Sequence, residues 1–242
     1  MINSTHIASA FDRDLEAIQA MIMKMGGMVE AAIENATEAL TEGDTELAAA
    51  TRQADRQIDT LEERVNEEAA RVIALRQPIA TDLRTVLTVF RISAALERVA
   101  DYAKNISKRT EIIHDLHPIN GATLSLRRMS KAVQMMLKDA LDAYIQRDAD
   151  LAADVRARDA EVDQMYNALF REFLTHMMED PRNITACMHL HFIAKNIERM
   201  GDLVTGIAEQ VIYRVTGELP GDERVKADVT STTSFSVDAK GR

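Results

Sequence analysis

The 242 residues are enough for one or two domains with a sizeable core, and 46% hydrophobic with 28% charged content is that of a soluble globular protein. A net charge of −10 with no basic tract argues against nucleic acid as a partner, and the lone Cys187 excludes an internal disulfide and fits a reducing cytoplasm. No stretch approaches the roughly 20 apolar residues of a membrane span, and the N-terminus lacks a signal-peptide plan, so a cytoplasmic chain that meets membranes only through partners is expected.

Apolar residues recur at helical spacing almost throughout, strand-like alternation is missing, and the 9 glycines and 4 prolines leave room for long helices. The first helix is predicted over about residues 6–42, with Phe11, Leu15, Ile18, Ile22, Met25, Val29, Ile33 and Leu40 on one broad face. Within it, "MIMKMGGMVE" reads as a core face where Gly26 and Gly27 permit close helix approach or a bend; an adaptable partner-binding surface is the alternative. Gly43 ends that helix and Asp44 caps the next. The second helix ends near Gln77, because Pro78 disfavours helix in the residue before it. Thr81 is the expected cap of the third helix, which reaches about Asp115. "LHPINGAT", with Pro118 and Gly121, is the clearest internal break. A fourth helix covers about 123–147, Asp148 caps a fifth that reaches about Glu179, and a sixth starts near Pro181 and runs to about Thr216. The remaining residues, 217–242, are polar and read as a flexible tail.

The two halves align with each other. "GDTELAAATRQADRQID" matches "RDADLAADVRARDAEVD", which sets Asp44 on Asp148, Asp55 on Asp159 and Asp59 on Asp163, and "LERVAD" matches "IERMGD", which sets Glu97 on Glu198 and Asp101 on Asp202. An internal repeat of this length predicts an all-α protein of two tandem, similar three-helix bundles, residues 6–116 and 123–216, forming one elongated six-helix body.

The carboxylates need a separate account. At 100° per residue, Glu97 and Asp101 fall about 140° and 180° from Ile92, on the outer face of the third helix. Glu198 and Asp202 take the same place on the sixth. Like charges four apart repel by a few tenths of a kcal/mol, so neither pair helps its helix. Asp55 and Asp59 on the second helix, and Asp159 and Asp163 on the fifth, are also four apart, each pair next to a core residue, Ile58 or Val162. Where neighbouring helices bring such pairs together, four carboxylates converge, and hard or borderline cations suit an oxygen-rich site of this kind. Simple pairing of the acids with Arg98 and Arg199 is the bland alternative.

Other chemistry is thin. His189 and His191 lie two apart, about 200° around a helix, and do not converge with each other near Cys187. His114 and His117 sit near the central loop. There is no P-loop, dinucleotide fingerprint, nucleophile elbow or paired-cysteine zinc motif, so no catalytic constellation is expected.

The segments "MGGMVE" (25–30), "RQPIATDLR" (76–84), "ALERVAD" (95–101), "MMED" (177–180) and "NIERMGD" (196–202) together resemble the PhoU family, across about residues 6–215 and both halves in order. The resemblance implies two similar three-helix bundles with metal clusters on their surface, held here by Glu97 and Asp101 in one site and Glu198 and Asp202 in the other. Asp55, Asp59, Asp159 and Asp163 are the implied companions, and the implied ions are divalent or trivalent metals, Mg, Mn, Fe or Zn. Ala100 stands where the second copy has Gly201, and Gly206 where the first has Asn105, so equal occupancy of the two sites does not follow. The implied function is negative regulation of phosphate uptake and of the phosphate-starvation response. The implied role is a cytoplasmic adaptor between the ATPase subunit of a phosphate ABC transporter and a membrane sensor histidine kinase. A homodimer is the expected assembly. A metal-binding or metal-dependent enzymatic helical bundle is the alternative reading.

Overall fold

The computed structural model describes residues 2–221 as six long helices: α1 (Ile2–Glu42), α2 (Thr45–Arg76), α3 (Thr81–Ile113), α4 (Ala122–Gln146), α5 (Ala149–Glu179) and α6 (Ile184–Thr216). A short 3-10 turn at Pro181–Asn183 leads into α6. The helices α1, α2 and α3 pack on one another, as do α4, α5 and α6, and the two groups meet where α3 lies against α6 and α1 against α4. The 33 residues of α6 extend it to about 50 Å, which makes the body long and narrow.

The buried positions explain why these segments are helices. In α1 they are Ile18, Ile22, Met25, Val29, Ile33, Ala36 and Leu40; in α3, Val89, Ile92, Leu96, Val99, Ala103 and Ile106; in α6, Leu190, Ile193, Ile197, Met200, Val204, Ile207 and Val211. Each series steps by three and four, a single stripe facing the core. Each buried Ile, Leu or Val contributes about 1.5–3 kcal/mol relative to exposure, and this sum holds the chain together. The close approach expected at Gly26 is present: a Cβ there would lie 2.4 Å from Leu141 Cδ1, so α1 and α4 come together over a bare backbone. Thr37 and Ser130 share a 2.6 Å hydrogen bond on the same interface.

The ends follow the cap chemistry with one exception. Asp44 accepts a hydrogen bond from the Leu47 N–H at 2.9 Å, and Asp148 accepts from the N–H groups of Asp150 and Leu151. Thr81 does not cap α3. Ala80 occupies that position with φ +50° and no side-chain bond, and Thr81 is already the first helical residue. Pro78 and the left-handed Gln77 before it bring the chain out of α2 so that it turns one residue earlier than the Thr signal suggests. At the far end Arg156 donates to the Gly221 carbonyl at 2.6 Å, holding the first residues after α6 against α5. The rest of the expected polar tail, from 222 onward, lies outside the described residues. No described helix is long and apolar enough to cross a membrane.

Candidate metal centres

The acidic pairs sit at two helix seams, α2 against α3 and α5 against α6. The outward placement expected of Glu97, Asp101, Glu198 and Asp202 fails at Glu198, and three of the four aspartates expected to flank the seams lie deeper than the seam edge. Asp55 is 4% exposed, Asp159 and Asp163 3%, and Glu198 5%. The reason is register. In α2 the buried series runs Ala48, Thr51, Asp55, Ile58, and in α5 it runs Ala152, Val155, Asp159, Val162, Tyr166, Leu169, Phe173. Asp55 and Asp159 therefore occupy core-stripe positions, and they are inside because their neighbours on the stripe are inside. Glu97 and Asp59 are half-buried at the edge of the first seam, and the Asp101 side chain is 47% exposed. Of the four acids expected to point outward, Glu97, Asp101 and Asp202 are half-buried and Glu198 is buried.

At the first seam the four carboxylates act on one another. Burial pushes Glu97 up to about 7, helped by the charges of Asp101 and Asp59, a hydrogen bond with Asp101 and the charge of Glu62. Burial likewise raises Asp59, with the Asp55 charge next in importance and Lys104 opposing it. Lys104 is the resident cation. Its Nζ is 2.5 Å from Asp55 Oδ2, an ion pair at contact distance rather than a well-directed hydrogen bond, and 3.2 Å from Asp101 Oδ1. Contact with Asp55 raises the ammonium above the usual lysine range against the desolvation that would lower it, and Asp101 adds to the rise. Asp55 Oδ1 is buried and accepts no hydrogen bond among the described residues.

The second seam is built differently around the same acids. Lys195 Nζ lies 2.9 Å from Glu198 Oε1 and 4.8 Å from the centre of the Tyr166 ring. His191 stacks on Tyr166 and packs against Phe170 and Phe192, which makes it part of an aromatic group rather than a partner of His189. His189 instead shares a 3.1 Å contact with Arg109 of α3. A Cβ at Gly201 would lie 3.2 Å from Asp159 Oδ1 and 3.4 Å from Val162 Cγ1, so the bare α6 backbone lets the Asp159 carboxylate lie against it. The first copy has buried Ala100 there. The difference between Ala100 and Gly201 thus has a physical content: it sets how closely the buried Asp approaches the opposite helix.

Arg98 and Arg199 are both exposed, and Lys104 and Lys195 form ion pairs with the acids. Sequence reasoning passed over both lysines. Lys104, three residues after Asp101, and Lys195, three before Glu198, each share a helix face with an acid, which was the available signal. Among the described residues no three His, Cys, Asp or Glu side chains converge tightly enough, as they stand, to enclose a metal ion. The donor set nonetheless fits a hard cation: hard oxygen ligands from two facing helices, with both buried oxygens of Asp55 accepting no directed hydrogen bond among the described residues.

Comparison with known proteins gives these seams a family context. The PhoU domain matches residues 22–110 and again 126–211, one match on each helical group. A phosphate-specific transport system accessory protein PhoU homolog of Caulobacter vibrioides (strain NA1000 / CB15N) is 45% identical over 226 residues, 93% of this chain and 98% of that protein. The homolog of Rhizobium meliloti (strain 1021) is 42% identical over 98% of this chain and 100% of its own. Crystal structures of PhoU from Pseudomonas aeruginosa (36% identity, TM-score 0.83, 86% of this chain and 100% of that one) and of the phosphate transport system regulatory protein PhoU from Streptococcus pneumoniae (28%, 0.81, 87% and 99%) share the fold. Two domain matches in order, near-complete coverage of full-length relatives and the common six-helix architecture lead to one conclusion: this chain belongs to the PhoU family.

Proposed function

We propose that this protein is an accessory component of phosphate transport that acts by contact, restraining phosphate uptake and the phosphate-starvation response when phosphate is plentiful. The observation that carries this reading is the match of both helical groups to the PhoU domain, together with relatives of similar length named as accessory proteins of a phosphate-specific transport system. In this reading the protein works in the cytoplasm as a homodimer. It reaches the membrane through the transporter's ATPase subunit and a sensor histidine kinase, with the long helical body as the bridging element.

The two seams are proposed as metal sites, Asp55, Asp59, Glu97 and Asp101 holding one ion or cluster and Asp159, Asp163, Glu198 and Asp202 the other. Mg, Mn, Fe and Zn are the candidate ions. A bound cation would supply positive charge that neutralises the acids and fastens α2 to α3 or α5 to α6. The chain's own contribution is to hold the acids on two rigid helices, with Asp55 and Asp159 anchored by the core stripe.

Deleting the gene tests the regulatory reading. A phosphate-starvation reporter should become active in high phosphate and return to silence on complementation. A reporter that stays silent in the deletion strain sinks it. Pull-down from phosphate-replete cells should bring down the transporter ATPase and the kinase, and recovery of neither would remove the adaptor role.

A further inference from the structure

Lys104 joins the two helices of the first seam. Its ammonium touches buried Asp55 on α2 and half-exposed Asp101 on its own helix, while its side chain remains 41% exposed. A cavity of about 450 Å³ opens the cluster to solvent; Lys104, Asp55 and Asp59 line it together with Arg52 and Arg56. Both Asp55 oxygens are buried and accept no directed hydrogen bond among the described residues, Oδ2 having only the ion pair with Lys104.

We propose that Lys104 is an exchangeable counter-ion of the first cluster: its ammonium neutralises Asp55 and Asp101 in the cation-free protein and swings out into solvent when a divalent cation takes those carboxylates. The proposal rests on the reading of this seam as a metal site. Its logic is competition. An ionised carboxylate as buried as Asp55 is costly without a positive charge beside it. Lys104 supplies that charge without sealing the site, because lysine carries a compact point charge on a flexible four-carbon stem that can swing into solvent. The ammonium and a metal ion seek the same oxygens, so one leaves as the other arrives. The arrangement is particular to this copy. The position matching Lys104 in the second half is Thr205, and the position matching Lys195 in the first half is Ala94, so the two clusters receive their ammonium from opposite sides of the acid pair.

Mn²⁺ titration calorimetry of the full chain tests this with wild type, Lys104→Gln and the double variant Asp55→Asn/Asp101→Asn. Removing a competitor worth about one charged hydrogen-bonded contact should tighten one Mn²⁺ site about tenfold in Lys104→Gln, while the double variant loses that site. Wild-type binding with unchanged affinity in Lys104→Gln overturns the exchange and leaves the metal reading standing. No Mn²⁺ binding in wild type overturns both. Should Lys104→Gln fail to fold, wild type alone decides: acetylation of its lysines, mapped by mass spectrometry, should become severalfold faster at Lys104 when Mn²⁺ saturates the protein. An unchanged Lys104 rate under saturation overturns the proposal.

Discussion

The two seams carry the same four acids at matching positions, yet they are two different pieces of chemistry. At α2/α3 the acids crowd one another, Glu97 is pushed up to about 7, and the lysine reaches across from α3 to the buried Asp of α2. At α5/α6 Glu198 is itself buried, its lysine lies over an aromatic ring, and the buried Asp lies against bare backbone at Gly201. Duplication preserved the carboxylates, and their environment diverged through single neighbours: Glu62 against Tyr166, Ala100 against Gly201, Lys104 against Thr205. A motif repeated in sequence therefore does not fix a charge state, because charge state is set by burial and by the nearest counter-charge.

The packing behind each seam differs most, and it should show the largest effect. Phe173, buried in α5, corresponds to buried Ala69 in α2. Phe173→Ala gives the second bundle the first bundle's residue without the first bundle's packing around it, and should cost about 3–5 kcal/mol in urea denaturation. A cost under about 1 kcal/mol would mean that the second bundle can collapse around the smaller residue and that the two bundles are nearly interchangeable at this position.

Glu97 comes next. Its folded-state pKa of about 7 lies above the ordinary 4.5, so the folded protein binds an extra proton between those values. Its contribution is fully present below about pH 4.5 and is lost as pH rises through 7. Allowing for partial exposure, metal-free wild type should lose on the order of 2 kcal/mol from this group between pH 4.5 and 7.5, and Glu97→Gln should flatten that slope. Parallel stability-versus-pH curves for the two proteins would show that Glu97 is not held protonated.

The smallest effect separates Gly201 from Ala100. Gly201→Ala places a methyl 3.2 Å from the Asp159 carboxylate and should cost about 1 kcal/mol despite alanine's better helix propensity. Ala100→Gly in the first bundle should cost slightly more, about 1.5–2 kcal/mol, for the opposite reason, loss of propensity and of a buried methyl. If Gly201→Ala stabilises the protein in thermal unfolding, Asp159 can shift, and the two seams share more geometry than the static arrangement shows.

Much of this was legible beforehand. Stripes such as Ile92, Leu96, Val99, Ala103, Ile106 and caps such as Asp44 and Asp148 are local signals, and they located the helices to within a few residues. The repeat and the eight acids were legible too. What was misread is where the acids point. Taking Asp55 as a flank of Ile58 placed it at the seam edge, whereas following Ala48, Thr51, Asp55, Ile58 through the acid puts it on the core stripe. Hydrophobic periodicity skips a charged residue by construction, so a carboxylate lodged in the apolar register goes unseen.

The sequence by itself determined the helices, their apolar faces, the duplication and the family, because each is written in periodicity or in motif within one helix. Only the tertiary structure decided that Asp55, Asp159 and Glu198 are buried, that Lys104 rather than Arg98 answers the first cluster, and that Gly201 serves as a seat for Asp159. Each of these depends on a distance between two helices, and that distance is set by packing across the seam, which no single helix encodes.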